Sequence, residues 1–489
     1  MNAAKQQPSL LISLIPLITL MVMLMANVYI FGDDALSGSN QLILIFAAAI
    51  GSVLAFRLGY SWEEVLAGIV DSIKIATPAI LLLLMVGALA GTWLLSGIVP
   101  AMIYYGLMIL NPTIFLVAAC LISIVVSLAT GSSWSTAATI GIALMGIGTT
   151  LGVHPGMVAG AILSGAYFGD KLSPLSDTTN LAAGASGVEL FTHIRYMTIT
   201  TIPSILIALA IYIVLGFFVV NSSAAPDVSQ LQQALDNRFN INLLLMLVPA
   251  AVIFMIVKKI PALPAIFVGA LLGGLFAFIF QYPLLQEIGR GLGYTDFLNY
   301  KTIMHTMYGE TTITTGDATV DELLSAGGMF GMLNTIWLVI TAMIFAGVMQ
   351  SAGFLQRITQ ALISLVRSDG DLVAATAGTC VLSNVTTSDQ YLAVTIPAGM
   401  FNEAYDERGL ARQNLSRTLE DSGTVTSVLV PWNTCGAFHA GVLGVSTLSY
   451  APFAFFCILS PFMTLFFAYR NIKIVRNTDA PVNAEPAVS

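Results

Sequence analysis

The sequence predicts an all-α protein that crosses a membrane many times, and two observations carry this prediction. Of the 489 residues, 57% are hydrophobic and only 9% are charged, and the mean hydropathy is +0.87. A soluble protein carries about 25% charged residues, so this chain has too few of them to cover the surface of a soluble protein. The apolar segments are also long and continuous, whereas a membrane β-barrel has short alternating segments. The composition therefore excludes a soluble enzyme, a nucleic-acid-binding protein with its basic face, and a disordered chain.

Eight apolar runs are long enough to cross the membrane, because a spanning helix needs about 20 apolar residues. They lie at residues 10–31, 41–56, 77–96, 196–220, 241–257, 263–281, 333–350 and 448–469. The first run exceeds the core of a signal peptide, which has about 7–15 residues, so we interpret it as an uncleaved span. Four further segments are apolar but interrupted by small and polar residues, at 113–149, 156–190, 371–402 and 411–447.

The positions of lysine and arginine predict the orientation, because cytoplasmic loops are enriched in both residues. If the N-terminus is cytoplasmic, the basic residues on the outer side are only Arg238, Arg290 and Lys301. Lys171 then lies within the membrane, and all the other basic residues and the C-terminus are cytoplasmic. This sorting requires that 113–149 enters and leaves from outside and that 371–402 enters and leaves from the cytoplasm. Both segments are therefore predicted to be re-entrant hairpins.

The two halves of the chain share short matches in the same order, which predicts an internal duplication. Examples are residues 130–133 with 383–386, and residues 169–173 with 420–424. The two copies start on opposite sides of the membrane by the charge rule, so the repeat is inverted. Inverted repeats with broken helices are typical of secondary transporters.

The duplication predicts three parts of the chain. The first membrane repeat covers 1–222, with scaffold helices at 10–56 and transport elements at 77–220. An external linker covers 223–240, where the sequence is polar, and the second repeat with a short cytoplasmic tail covers 241–489. Each repeat is expected to hold one hairpin and one broken transmembrane helix.

Four polar breaks, two in each repeat, contain the candidate site residues. Unwound backbone at membrane depth is tolerated only where it is buried or lines a wet cavity, and there its carbonyls replace water around an ion. The breaks are rich in hydroxyl, amide and carboxylate oxygens, which are hard ligands. The candidate coordinating residues are Ser132, Ser133, Thr178, Thr179, Asn180, Asn384, Thr386, Thr387, Ser388, Thr424 and Asn433. The residues expected to line the cavity are Trp134, Trp432 and Lys171.

Four aspartates at membrane depth are the candidate ion-binding or proton-carrying groups: Asp170, Asp177, Asp389 and Asp421. A charged side chain there costs about 2.5–3.5 kcal/mol, so such residues usually have a function. Asp177 and Asp389 have no basic neighbour in the sequence, which favours the ionic role. Asp170 has an alternative as an ion-pair partner of Lys171, and Asp421 has one as the cap of a half-helix.

Histidine and cysteine do not indicate a zinc or iron site, because neither forms a cluster in the sequence. The four histidines are widely separated and lack a motif. Cys120, Cys380, Cys435 and Cys457 lie in apolar or small-residue segments, so we expect them to be small buried hydrophobic residues. No resident cofactor is expected.

Three long motifs resemble those of the NhaC-type sodium/proton antiporters. They are GAYFGDKLSPLSDTTNL at 165–181, GSSWSTAATIGIALMG at 131–146, and EDSGTVTS at 420–427 together with VPWNTCG at 430–436. The resemblance extends over most of the chain and implies membership of the ion transporter superfamily, with a scaffold, two opposed hairpins and a homodimer.

The resemblance also implies the activity, which is Na+/H+ exchange across a bacterial inner membrane. The alternative is a Na+- and H+-coupled exchanger of an organic anion or amino acid, of the malate/lactate type, because the family includes such proteins. A basic carboxylate-binding group would favour the alternative, and Lys171 alone is predicted at membrane depth. A channel and an intramembrane aspartyl protease fit the repeated breaks less well, so the chain is not expected to be an enzyme.

Overall fold

The computed structural model describes residues 5–31, 38–222, 228–314, 321 and 324–477, and these residues are almost entirely helical. Seven of the described helices are long and apolar enough to cross a membrane, or up to nine if each of two bent pairs counts as one span. One short antiparallel strand pair, β1 (Thr311–Thr312) with β2 (Ser325–Ala326), is the exception. The prediction of an all-α polytopic membrane protein is confirmed, and the inverted repeat stays a prediction.

The first half begins with long helices and then becomes segmented. Its helices are α1 (Leu10–Phe31), α2 (Ser39–Arg57), α3 (Trp62–Leu95), α4 (Ile98–Ile109), α5 (Pro112–Thr130), α6 (Ser133–Thr136), a π-helical turn (Ala137–Gly141), α7 (Ile142–Thr150), α8 (Pro155–Leu172), α9 (Asp177–Ser186) and α10 (Leu190–Ser222).

The second half follows a similar course, with long helices first and short ones later. It contains α11 (Val228–Arg238), a 3-10 turn (Leu243–Met246), α12 (Leu247–Val257), α13 (Ala262–Phe280), α14 (Tyr282–Gly291), α15 (Leu298–Tyr308), α16 (Gly328–Gly331), α17 (Leu333–Ser351), α18 (Phe354–Ile363), α19 (Asp369–Thr386), α20 (Gln390–Glu407), α21 (Gln413–Leu419), a π-helical turn (Glu420–Thr424), α22 (Val425–Ser427), α23 (Thr434–Leu443), α24 (Thr447–Tyr450), a 3-10 turn (Ala451–Phe453) and α25 (Phe455–Tyr469).

Helix α3 starts well before the apolar run predicted at 77–96. Ser61 caps its N-terminus, because the Ser61 hydroxyl accepts a hydrogen bond from the Glu64 N–H while Glu64 accepts one from the Ser61 N–H. The helix therefore has 34 residues and is about 51 Å long, which exceeds the hydrocarbon thickness of about 30 Å.

The predicted external linker differs from the expectation of an exposed connection without periodicity. Residues 223–227 lie outside the described residues, and most of the remainder forms α11. The last residue of α11, Arg238, pairs with Glu287 of α14 at 2.7 Å. This part of the linker is therefore tied to both halves, because Gln232 of α11 also donates to the carbonyl of Tyr104 in α4.

Glycines on α3 allow its backbone to touch neighbouring segments. A Cβ atom at Gly91 would collide with the carbonyl oxygen of Thr306, and one at Gly87 would collide with the backbone of Gly328. Such close approach is how membrane helices gain packing contacts without a hydrophobic driving force. Helix α3 is thereby fixed beside the cavity described below.

The helix breaks are shorter than the polar motifs that predicted them. The intervals between helices are 131–132, 173–176, 387–389 and 428–433. Many Ser and Thr residues of the motifs lie inside helices, where their hydroxyls donate to the carbonyl one turn earlier, as Thr386 does to Leu382. Thr387, the first residue of the third break, donates to Ser383 in the same way.

The two predicted hairpin tips share one backbone feature, a residue in the left-handed region within two positions of the end of the first helix. Gly131 has a φ of 69°, and Ser388 has a φ of 56°. Each of these residues abuts another break: Gly131 lies against Leu175, and the carbonyl of Ser388 accepts a hydrogen bond from the N–H of Thr434 at 2.8 Å. A left-handed Ser is strained, so the surrounding contacts must hold it in place.

Candidate functional site

All four breaks, either directly or through the helix residues that flank them, contribute to the wall of one cavity of about 170 Å³. Its polar wall consists of Ser132, Trp134, Asp170, Asp177, Asp389, Gln390, Tyr391 and Thr434. Its apolar wall comes mainly from one face of α3, with Ile75, Ala76, Pro78, Ala79 and Leu82, and is completed by Ala262. The cavity therefore brings together residues that are up to about 360 positions apart in the sequence.

The cavity lies where four helices begin, one after each break. Ser132 caps α6, and Asp389 caps α20. Asp177 is the first residue of α9, and Thr434 is the first residue of α23. The first N–H groups of a helix have no partner within the helix, so these starts surround the cavity with donors and a partial positive charge.

Asp170 reaches the cavity from the last turn of α8. Its Oδ2 atom accepts hydrogen bonds from the N–H of Ser133 at 2.9 Å and from the Ser133 hydroxyl at 2.7 Å. Its Oδ1 atom has no hydrogen-bond partner within the described part of the chain, although the residue is only 4% exposed. The alternative of an ion pair between Asp170 and Lys171 is therefore wrong, and one carboxylate oxygen is left for a ligand.

Asp389 is the most enclosed of the cavity carboxylates, at 2% exposure. Its Oδ1 atom accepts hydrogen bonds from the N–H groups of Tyr391 at 2.9 Å and Leu392 at 3.1 Å, which is the usual pattern of an N-cap. Its Oδ2 atom accepts from the Thr434 hydroxyl at 3.3 Å. The side chain thus links the second hairpin to the start of α23.

Asp177 lies where the cavity meets a wider one. Its Oδ2 atom accepts a hydrogen bond from the Tyr391 hydroxyl at 2.6 Å, and the residue is exposed. The wider cavity has a volume of about 510 Å³, shares Ser132, Asp177 and Ala262 with the first, and includes Lys259. Asp177 therefore lies at the entrance to the smaller cavity, where that cavity opens into the wider one lined by Lys259.

Asp421 and Lys171 lie outside this cavity and form an ion pair with each other. Both side chains are fully buried, and Asp421 also accepts hydrogen bonds from the hydroxyls of Thr200, Ser460 and Thr464. The alternative of Asp421 as a helix cap does not hold, because it lies within the π-helical turn. Lys171, expected to line the cavity, is directed to Asp421 instead.

Several of the predicted hydroxyl and amide ligands hold the broken segments in place, either by bonds between two segments or by bonds within one. Asn384 donates to the carbonyl of Gly423 at 2.6 Å, and Asn433 donates to the carbonyl of Asn384 at 3.1 Å. Thr179 donates to the carbonyl of Lys171 at 3.0 Å. These bonds hold the irregular backbone in place.

Four other predicted residues are likewise engaged or buried within the protein. Asn180 donates to the carbonyls of Pro174 and Ser176, and Thr178 donates to Glu420 at 3.1 Å. The indole of Trp432 donates to the carbonyl of Val385 at 2.9 Å, so it fastens the second hairpin. Thr424 is buried in the π-helical turn.

Trp134 does line the cavity, and it also joins the two halves. Its ring is stacked on Phe438 of α23 with a centroid distance of 4.2 Å and an angle of 16° between the planes. This contact connects the segment after the first hairpin tip to the helix after the fourth break. Stacked aromatic pairs add about 0.5–1.5 kcal/mol to the burial of their area.

Sequence reasoning did not select Gln390, Tyr391 and Thr434, which line the cavity, or Glu420, which is fully buried beside Asp421. Gln390, Thr434 and Glu420 each directly follow or precede a selected residue, and Tyr391 lies two positions after Asp389. The signal that could have found them is position, because the first residues of a helix face the same space as its cap. Glu420 is the second carboxylate of the Glu-Asp pair that begins the third motif.

The carboxylates stand around the cavity and do not form a preformed metal cage. Within the described ranges, no group of three or more His, Cys, Asp or Glu side chains is arranged to hold a metal ion. The four cysteines are buried, as expected. A cation in this cavity would therefore be held by a few carboxylate and hydroxyl oxygens, which suits an ion that must also leave.

Comparisons with known proteins give the family of the chain. The sequence model of the Na+/H+ antiporter family matches residues 165–472. A Na+/H+ antiporter NhaC from Alkalihalophilus pseudofirmus is 39% identical over 88% of this chain and 90% of its own length. A malate-2H+/Na+-lactate antiporter from Bacillus subtilis is 36% identical over 91% of this chain and 92% of its own length. An arginine/ornithine antiporter, ArcD, from Halobacterium salinarum is 36% identical over 96% of this chain and 94% of its own length. The chain therefore belongs to the Na+/H+ antiporter family, as the motifs implied.

Proposed function

We propose that this protein exchanges Na+ for H+ across a bacterial inner membrane and that both ions bind at the carboxylates of the cavity. One observation carries the proposal: Asp170, Asp177 and Asp389 line a single cavity. No lysine, arginine or histidine is among the described residues that line it. A space with three acids and no base is suited to a cation.

The carboxylates supply the coupling between the two ions. The free Oδ1 atom of Asp170 and the Oδ2 atom of Asp389 are the oxygens we assign to Na+, with the Thr434 hydroxyl beside them. In a site of low dielectric constant, the loss of one negative charge weakens the attraction for Na+ strongly. A proton on either carboxylate therefore displaces Na+, and one ion replaces the other.

The helix starts around the cavity make this exchange reversible. When Na+ leaves, backbone N–H groups still donate to Asp170 and Asp389, so the carboxylates are not left without partners. Buried charges without partners are costly, by several kcal/mol for each ion. The empty site is thereby stable enough to be an intermediate of the cycle.

The test is transport by the purified protein in proteoliposomes that contain a pH-sensitive dye. An inward Na+ gradient with no organic solute present is expected to drive protons out and to raise the internal pH. The matched control replaces Na+ by choline at equal ionic strength. Proton movement of the same size with choline would contradict the proposal.

Competition at shared carboxylates also predicts a pH dependence. Lowering the pH is expected to raise the apparent KM for Na+, because protonated carboxylates do not attract the cation. The maximal rate at saturating Na+ changes less than the KM does. An apparent KM that stays constant while only the maximal rate falls would show that the two ions do not compete.

A second candidate is coupled exchange of an organic anion or amino acid. The observation that favours it is the similarity to the malate/lactate and arginine/ornithine antiporters, at 36% identity each. In the same vesicles, malate, lactate or arginine is added after the Na+ gradient. Proton movement that begins only after this addition would replace the first proposal by the second.

The orientation and assembly are part of the same proposal. We place both termini in the cytoplasm from the distribution of basic residues, and we assign the first and second hairpins to opposite faces. The matches of residues 130–133 with 383–386 and of 169–173 with 420–424 support the duplication, and the distribution of basic residues supports its inversion. A homodimer follows from the family resemblance.

A further inference from the structure

One buried face of α10 carries four polar side chains over its first half, with the buried apolar Met197 beside them. Its buried polar side chains recur every three or four residues, so they lie on one side of the helix: His193, Tyr196, Thr200 and Ser204. The next buried residues on this face, Ile205 and Ala208, are apolar. A column of polar groups therefore runs inward from the Leu190 end of α10 and stops partway through the helix.

The column faces the broken helix that carries Asp421. The Nδ1 atom of His193 lies 2.8 Å from the Ser416 hydroxyl, and the Tyr196 hydroxyl donates to the Asn414 side chain. One turn further along, the Thr200 hydroxyl donates to Asp421 at 2.7 Å. His193 and Thr200 are seven positions apart, which corresponds to about 10 Å along a helix.

Arg417 lies in the same column, although the distribution of charges had placed it with the cytoplasmic residues. Its side chain is fully buried, and its guanidinium is stacked over the ring of Tyr196 at 4.6 Å. None of its three nitrogen atoms has a hydrogen-bond partner in the described part of the chain, and the same holds for Nε2 of His193. A buried guanidinium is strongly destabilising unless its donors are satisfied, so water is the expected partner.

We propose that the part of this column from His193 to Thr200 is a proton route between the membrane face at the Leu190 end of α10 and Asp421, separate from the cation cavity. The proposal rests on the proposed Na+/H+ exchange and adds to it a second proton site, Asp421, which must also take up a proton in every cycle before Na+ leaves the cavity. His193 takes up a proton on one ring nitrogen as it releases one from the other, so its charge is restored after each transfer. Water at Arg417 and the Thr200 hydroxyl complete the path to the carboxylate.

The groups around Asp421 connect this site to the cavity. Lys171 from α8 pairs with it, Arg417 and Glu420 lie on its own broken helix, and Ser460 and Thr464 of α25 donate to it. A proton on Asp421 leaves the positive charge of Lys171 unbalanced. Lys171 directly follows Asp170, so this charge opposes a cation in the cavity and favours the exit of Na+.

The variants that test the route are His193→Gln and Thr200→Val, in the full-length protein in proteoliposomes. Two activities are measured for each: proton flux driven by a Na+ gradient, and exchange of radioactive Na+ for Na+ at equal pH on both sides. Both variants are expected to lose proton flux by about tenfold or more, as removal of a positioned proton-transfer group does. Exchange of Na+ for Na+ is expected to stay at the wild-type rate.

The matched control is Ser204→Ala, which lies on the same face of α10 beyond Asp421 and donates to the carbonyl of Thr200 at 2.8 Å. It is expected to keep both activities. If His193→Gln and Thr200→Val keep wild-type proton flux, or lose both activities together, the proton route is wrong. Wild-type protein without Na+-driven proton flux would instead show that the proposed function has failed, and the route with it.

Discussion

At the scale of single residues, Asp389 combines two tasks in one carboxylate. One oxygen caps α20 through two backbone N–H groups, and the other accepts from Thr434 inside the cavity. Capping needs only an acceptor oxygen, whereas binding a cation needs the negative charge. The two tasks can therefore be separated by substitution.

Asp389→Asn is expected to abolish Na+-dependent proton flux with little change in stability, because the Asn side chain also caps helices. Asp389→Ala loses the cap as well and is expected to unfold more easily, by about 0.5–2 kcal/mol. Transport assays and thermal unfolding in detergent measure the two effects. Wild-type exchange in Asp389→Asn would remove this residue from the mechanism.

Asp177 allows a similar comparison of charge and hydrogen bond. Asp177→Asn is expected to abolish exchange, because the entrance carboxylate loses its charge. Tyr391→Phe removes only the 2.6 Å hydrogen bond to this carboxylate, so it is expected to retain exchange with an altered apparent KM for Na+. Equal activity in the two variants, whether both active or both inactive, would show that the charge of Asp177 is not what matters.

The sequence predicted part of this site because a lone acid in an apolar segment is visible locally. Asp177 and Asp389, selected for their lack of a basic neighbour, do line the same cavity. The partner of Lys171 could not be found in this way, because Asp421 is 250 positions away. The sequence also could not show that the buried guanidinium of Arg417 lacks hydrogen-bond partners among the described residues, since its burial depends on how the broken helix packs.

At the scale of elements, the left-handed residue at each hairpin tip determines how sharply the chain turns. Gly131→Ala is expected to lower stability, because an L residue there costs about 1–2 kcal/mol. Its Cβ atom would also lie 2.6 Å from the Cβ atom of Leu175, which is closer than packed atoms allow. Thermal unfolding in detergent measures the change.

The control for this substitution is Gly399→Ala, in the middle of α20. A Cβ atom there meets nothing within 4 Å, and Ala in a helix is more stable than Gly by about 0.5–1 kcal/mol. This variant is expected to be as stable as the wild type or more so. A Gly131→Ala protein as stable as Gly399→Ala would contradict the role of the tip.

Hydrophobic runs predicted the long helices more accurately than the short ones. The run at 10–31 matches α1 to the residue, whereas α3 begins at Trp62 because a capping box extends it. The breaks were predicted too long, since hydroxyl side chains inside a helix look like a break in the sequence. The hydrogen bonds that join one broken segment to another link residues far apart in the sequence, so no local pattern predicts them.

At the scale of the whole molecule, the orientation can be tested by labelling single cysteines in cells. Ser364→Cys is expected to react with a membrane-impermeant maleimide only from the cytoplasm, and Gln233→Cys only from outside. Both positions are exposed, and the four native cysteines are buried, so background labelling is low. Labelling of both cysteines from the same side would contradict the inverted repeat.

The stack of Trp134 on Phe438 gives the protein a built-in optical reporter. Trp134 is one of five tryptophans, and its indole belongs to the cavity wall. A cation entering beside this ring changes the local electric field and hence the wavelength of its fluorescence. Titration with Na+ is therefore expected to shift the emission of the wild type but not of Trp134→Phe. Occupancy of the site thus becomes measurable in detergent, without vesicles or a gradient.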